Sequence, residues 1–421
     1  MKVNRFHGLL VALFVTMLPA LPTRPAAGET AAVPSWPEFH GPGRQNISPE
    51  KGLLKKWPDG GPRLEWKFSH CGQGFSGVAV AAGKIFTAGN CDDVETLLAL
   101  SMDGRLLWKS PNGHAWHGPS PGSRTTPTYD DGALYQMTAG GRLAAFRADS
   151  GREIWAVDLP AVFEAKVGFW AFAENVIVDG DRVLCMPGGS KGRVVALDKR
   201  SGKTLWANTE IEYPAAYCSP TIVTYRGVRQ LLTMTQKSVV GVDVQSGKLV
   251  WSAPFVPRSP QNALTPVFHD GYVFVACGHS SGGSLLKIDP DTRSAALVWH
   301  RKDLDNCHGG AIFLDGKLYG CGCRQGGKNF YCVDFLTGET KQLDKTLGKV
   351  GITCADGMLY LLNHRGRVSL LAITAKGFDI VSQFDLEKRP DNTYLAHPVV
   401  CGGRLYLRCD DDLYAYDIRA K

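Results

Sequence analysis

Ala196–Trp206 reads ALDKRSGKTLW, and Gly241–Trp251 reads GVDVQSGKLVW. Each is a strand-like run ending in Asp, an S-G turn, and a Trp four residues after the Gly. The pattern recurs at Gly104–Trp108 and Gly151–Trp155, more loosely before Trp66 and Trp299, and in degenerate form with Gln342 and Val381 in the Trp slot. From residue 66 to residue 381 these eight positions advance in seven steps that average 45 residues. A repeat of that length, built of short strands and glycine turns without a 3.6-residue periodicity, fits a four-stranded propeller blade. The expected fold is all-β: an eight-bladed β-propeller, with residues 63–421 forming the ring.

Working outward, LTPVFHDGYVFVACG (Leu264–Gly278) shows two alternating apolar runs joined by a D-G turn, and similar hairpins turn at Gly83, Gly132, Gly180, Gly316, Gly357 and Gly403. After Val381 only three more strands remain, between His397 and Asp417, while the strand around Trp66 has no hairpin before it. Pairing these two ends in one sheet would close the ring and remove exposed edges. Trp66, Trp108, Trp155, Trp206, Trp251 and Trp299 are then structural, burying large rings against neighbouring blades.

Residues 1–28 carry Lys2 and Arg5, an apolar stretch from Leu9 to Leu21 broken by Pro19, and a small-residue run at Ala26–Gly28. This is the pattern of a secretory signal peptide and not of a membrane anchor. The expectation is an exported chain, periplasmic or secreted, with residues 29–62 as a lead-in and no lipid anchor, since the first cysteine is Cys71. Without Lys2, Arg5 and Arg24 the formal charge falls from +7 to about +4, and the remaining cations are dispersed, which argues against nucleic acid. The twelve cysteines include no C-x-x-C, so a haem-attachment or thioredoxin-like motif is excluded. A monomer is expected, and the disulfide pairing is left open.

The ALDKRSGKTLW-type segments resemble the pyrroloquinoline-quinone (PQQ) repeats of quinoprotein alcohol dehydrogenases and of BamB-like propellers. The opening stretch Trp36–Trp66 and LAHPVVCGGRLYLR (Leu395–Arg408) are similar to a group of exported bacterial propellers abundant in planctomycete-like genomes. The resemblance covers nearly all of the mature chain and implies the fold. For the dehydrogenases it also implies a quinone under an adjacent Cys-Cys disulfide, a Ca²⁺ among acidic and amide ligands, and an Asp base. This chain has no Cys-Cys pair and no recognisable acidic cluster for the ion. No cofactor is therefore expected, PQQ with Ca²⁺ standing as the alternative.

Aligning the inner strands on their turn glycines gives two columns on one side of the sheets. The first is Phe75, Arg124, Phe172, Tyr217, Ala263, His308, Lys349 and Leu395; the second is Gly77, Thr126, Glu174, Ser219, Thr265, Gly310, Gly351 and His397. The second column is mostly small, as crowding near the axis would require. Arg124, Glu174, Tyr217, His308 and His397 break that pattern and mark a ligand-binding funnel, in which Arg124 with Tyr217 could hold an anionic or sugar-like group. Cys277, His279, Cys307, His308, Cys321 and Cys323 match no metal-ligand spacing, so core cysteines or disulfides are the expectation there. The expected function is a non-catalytic binding or scaffold module for a protein or a small or carbohydrate ligand. A quinone-dependent alcohol oxidoreductase is the alternative.

Overall fold

A hairpin whose two-residue turn needs positive φ at both positions is the unit from which the chain is built. Ala82-Gly83, Asp131-Gly132, Arg226-Gly227, Asp270-Gly271, Asp315-Gly316, Asp356-Gly357 and Gly402-Gly403 all take that conformation, the type I′ geometry that matches strand twist. Each turn joins an inner strand to the next strand outward. The computed structural model describes Met1 and residues 34–323, 329–387 and 394–420. Apart from Met1, the expected signal peptide lies outside the described residues.

The first antiparallel meander runs through Ala79–Ala81, Lys84–Cys91, Val94–Ser101 and Leu106–His114. The same four-stranded order recurs over residues 128–158, 177–208, 221–254, 267–301, 311–344 and 350–385. An eighth meander has only Val399–Cys401, Arg404–Cys409 and Asp412–Asp417 from the C-terminus, and Arg63–Ser69 supplies its outer strand, with Trp66 opposite Ala415. The fourth and fifth are also joined at their outer edges by one parallel pairing, Ser252 with Ser294.

Second and third strands are buried on both faces, so they read as near-continuous apolar runs, while outer strands alternate and carry exposed Leu107, Ile154, Leu205 and Val298. Apolar clusters fill the space between consecutive meanders. Leu97 and Ala99 of the first face Leu134 and Phe146 of the second, and so on to Val399 and Leu413 of the eighth, which share a cluster with Val80 and Ile85 of the first. Arg408, 2% exposed, ties the same seam by donating to the carbonyls of Ala88 at 2.7 Å and Gly72 at 2.9 Å.

The repeat Trp acts across these seams. The ring of Trp206 lies over the turn at Gly247, whose added Cβ would sit 2.5 Å from it at a φ of +73°, and its indole donates to Val244 O at 3.2 Å. Trp66, Trp108, Trp155 and Trp299 cover Gly104, Gly151, Gly202 and Gly338 in the same way. Gln342 copies the lock with hydrogen bonds to both backbone polar groups of Phe378. Trp251 differs: the fifth repeat has Arg293 where the glycine would stand, and Trp251 is fully buried against Gly241 and donates to Gln230 Oε1 at 2.6 Å.

Candidate functional site: the axial funnel

Just before each inner strand the chain approaches the axis, and side chains of different meanders meet there. Gly77 N donates to Thr126 Oγ1 at 3.0 Å, Thr126 N to Asn175 Oδ1 at 2.6 Å, and Asn175 N to Ser219 Oγ at 3.0 Å. This belt explains the small residues of the second column. An added Cβ at Gly77 would lie 3.0 Å from Thr126, and one at Gly310 would lie 2.8 Å from the His397 ring.

Above and inside the belt is a cavity of about 400 Å³. Of the five residues expected there, Arg124, Tyr217, His308 and His397 line it, together with Phe75, Ala263, Lys349 and Leu395 of the first column. Glu174 does not, and that expectation is corrected. Asp179 pairs with Arg182, so Gly180 is the first residue of its turn, whereas Asp130 pairs with Ala133 and makes Gly132 the second. Aligning on glycine therefore slips the third repeat by one residue, and a one-residue slip exchanges the two faces of a strand. Ala173 and Asn175 line the cavity in place of Phe172 and Glu174. Phe172 packs between the second and third meanders. Glu174 is buried, accepting from Met186 N at 2.9 Å through one oxygen while the other has no partner; burial pushes its carboxyl up to about 8.

The charged side chains in the lining, histidines aside, are Arg124 and Lys349, and no Asp or Glu is among the described lining residues. Arg124 donates through Nη2 to the carbonyls of Pro119 and Ser120, both at 2.7 Å, and its buried Nε has no protein partner. Burial lowers its pKa, partly offset by Glu95 behind the wall. Burial also holds His308 and His397 below the usual imidazole range. His397 Nε2 is 2.8 Å from His308 O, and His308 Nε2 is buried without a partner. Cys307 and Cys323 form a disulfide in the wall. Cys277 and Cys321 are buried separately as free thiols, and among the described residues no group of three His, Cys, Asp or Glu could hold a metal ion.

The sequence reading missed the floor. Trp36, Phe39, His40 and Asn46 of the lead-in line the cavity. This segment reaches the inner strands of several meanders. Trp36 pairs with Val80, Pro37 O accepts from Tyr129 N at 2.7 Å, Asn46 O accepts from Cys354 N at 2.8 Å, and Ile47–Ser48 runs parallel to Val350–Ala355. The His40 ring sits 4.6 Å from that of His397. The available signal was WPEFHGPGRQN, which concentrates Trp, Phe, His, Arg and Asn around two glycines ahead of the first repeat. From the third meander's entry loop, Trp170 adds an indole whose buried Nε1 has no partner, and the backbone N–H of Trp170 donates to Tyr217 Oη at 3.4 Å. The arrangement offers aromatic walls, unpaired donors and two cations to a molecule entering the funnel.

Residues 93–343 match the family model described as outer membrane protein assembly factor BamB. The chain is 26% identical over 226 residues to the quinohemoprotein alcohol dehydrogenase ADH IIB of Pseudomonas putida, covering 49% of this chain and 28% of that one. It is 30% identical over 165 residues to BamB of Nitrosomonas eutropha, covering 39% of this chain and 36% of the relative. These alignments thus span about a third of the relatives' own length. The crystal structure of BamB from Moraxella catarrhalis superposes with a TM-score of 0.62 at 16% identity, over 85% of this chain and all of that one. The quinohemoprotein alcohol dehydrogenase from Comamonas testosteroni gives 0.65 at 12% identity, over 94% and 82%. At such identities the superpositions establish a propeller-like fold and leave the chemistry to the site itself.

Proposed function

The chain belongs to the family described as outer membrane protein assembly factor BamB, and from that premise we propose that it is an exported eight-bladed propeller that binds a small acidic molecule in its axial funnel. The eight meanders, the apolar clusters between each consecutive pair and the terminal strand pairing support the blade count. The signal-like residues 1–28 and the BamB relatives support export. One observation carries the ligand class: the lining holds Arg124 and Lys349 and, among the described residues, no carboxylate. A lining that carries cations and no carboxylate favours an anionic group, and the aromatic walls favour a flat body beside it.

The dehydrogenase relatives favour a quinone-dependent alcohol oxidoreductase as a second reading. Against it stands the donor chemistry. A Ca²⁺ needs six to eight oxygen ligands. The described lining supplies no carboxylate, and with the amide oxygen of Asn175 committed to Thr126 N, its remaining side-chain amide oxygens are those of Asn46 and Gln261, well short of that number. These residues do not fit the ion.

The test uses 2-naphthoate and its neutral isostere 2-naphthalenemethanol as probes, titrated calorimetrically into the mature protein. The carboxylate should bind at least tenfold more tightly, and Arg124→Met and Lys349→Met should each reduce the preference while leaving the neutral probe unchanged. Equal affinity for the two probes would overturn the acidic-ligand assignment. Dye-linked alcohol oxidation on adding PQQ and Ca²⁺ would favour the second reading.

A further inference from the structure

Resting on the funnel reading above, we infer that Arg44 is a positioning residue for the ligand site, holding the lead-in across the axis so that His40 and Asn46 form its floor. The motive is a contrast between the segment's backbone and its anchoring. His40, Arg44 and Asn46 all have positive φ, at 65°, 55° and 57°, a conformation that side chains other than glycine resist and that persists only where surroundings impose it. Gly41 must lie against the face of Trp36, where an added Cβ would sit 2.7 Å from the ring. The segment's regular pairing is confined to its two ends, at Trp36 and at Ile47–Ser48. Between them the main attachment is Arg44.

The Arg44 side chain is fully shielded from solvent. Its guanidinium donates to Asn175 O at 2.7 Å, to Pro220 O at 3.0 Å and to Val176 O, and its Nε pairs with Glu38 at 2.8 Å. One side chain thus ties the third and fourth inner strands to the segment and, through Glu38, ties the segment to itself. Asn46 N donates to His40 O at 2.9 Å, closing the loop that Arg44 anchors. Beyond that loop, Asn46 Nδ2 lies 3.5 Å from His397 Nδ1, and the buried Nε2 of His40 has no partner. The floor therefore presents His40 and Asn46 from a strained loop whose geometry depends on an arginine outside the cavity lining. Only a fork with several donors can serve three carbonyls and a carboxylate from one position.

Hydrogen exchange and probe titration on the full mature chain test this together, using Arg44→Met and Arg44→Lys. Tyr129 N and Cys354 N report the segment, because their acceptors are Pro37 O and Asn46 O, yet they belong to the second and seventh meanders, away from Arg44's own acceptors. In Arg44→Met both amides should exchange at least tenfold faster while the ladder amide of Leu232 is unchanged, and 2-naphthoate should bind at least tenfold more weakly. Arg44→Lys should recover part of both. Should Arg44→Met not fold, Glu38→Gln should show the same pattern in weaker form. Tyr129 and Cys354 as protected as in the parent, or loosened with the probe affinity unchanged, would overturn the inference. A parent protein that binds neither naphthalene probe would instead overturn the funnel reading, and exchange at Tyr129 and Cys354 would still decide whether Arg44 pins the segment.

Discussion

Glu174→Gln should make the protein's stability less dependent on pH, and the size of the effect follows from where the carboxyl lies. Glu174 is 4% exposed, accepts one backbone hydrogen bond from Met186, and has one oxygen without a partner. Burial raises its pKa from 4.5 to about 8, Arg44 offsetting this only in part. Between those two values the folded state binds more protons than the unfolded chain, so stability must fall as pH rises. At about 1.4 kcal/mol per pH unit over most of that window, going from pH 5 to pH 7 should cost about 2.5 kcal/mol, with a further loss of about 1 kcal/mol before it levels off above pH 8. Glutamine keeps the acceptor for Met186 N and cannot ionise. Urea unfolding at pH 5, 6, 7 and 8 should therefore show the difference in stability between variant and parent moving in the variant's favour by about 3–4 kcal/mol across the series. A difference that stays constant with pH would refute the reasoning and mean that water or a rearranged partner solvates the ionised carboxylate.

The Trp locks should be costly to remove: Trp251→Ala and Trp206→Ala should each lose about 3–5 kcal/mol in a denaturant titration, with the fully buried Trp251 at the upper end. Losses below about 1 kcal/mol, of the size typical for surface positions, would refute the packing assigned to the rings. The Cys307–Cys323 disulfide closes a short loop, 16 residues apart in sequence, in the funnel wall. Reductant or Cys323→Ser should cost about 3 kcal/mol and lower the thermal midpoint, whereas an unchanged midpoint in reductant would show that the bridge is not formed in solution.

The register error at Glu174 shows where a sequence pattern stops being sufficient. A type I′ turn needs positive φ at two successive positions, and glycine satisfies either. In seven repeats both turn positions have positive φ and glycine takes the second, whereas in the third only Gly180, at the first position, has positive φ. Nothing local to VDGDR distinguishes the two cases, because what decides is the pairing of Asp179 with Arg182 across the hairpin. The columns were otherwise legible, since a repeated unit must place equivalent positions at equivalent depths. They brought Arg124, Tyr217, His308 and His397 to one cavity from widely separated parts of the chain.

By itself the sequence determined the repeat, its all-β character and the pairing of the first outer strand with the last. Those features depend on local turn chemistry, on alternation and on a strand count that leaves one sheet incomplete. Tertiary structure alone decided the floor of the funnel. WPEFHGPGRQN has no periodicity to read, and its conformation is imposed by carbonyls of Asn175, Val176 and Pro220, contributed by chain more than 130 residues away. Backbone acceptors carry no residue-specific signal, so an arginine bound to them looks in sequence like any other surface cation.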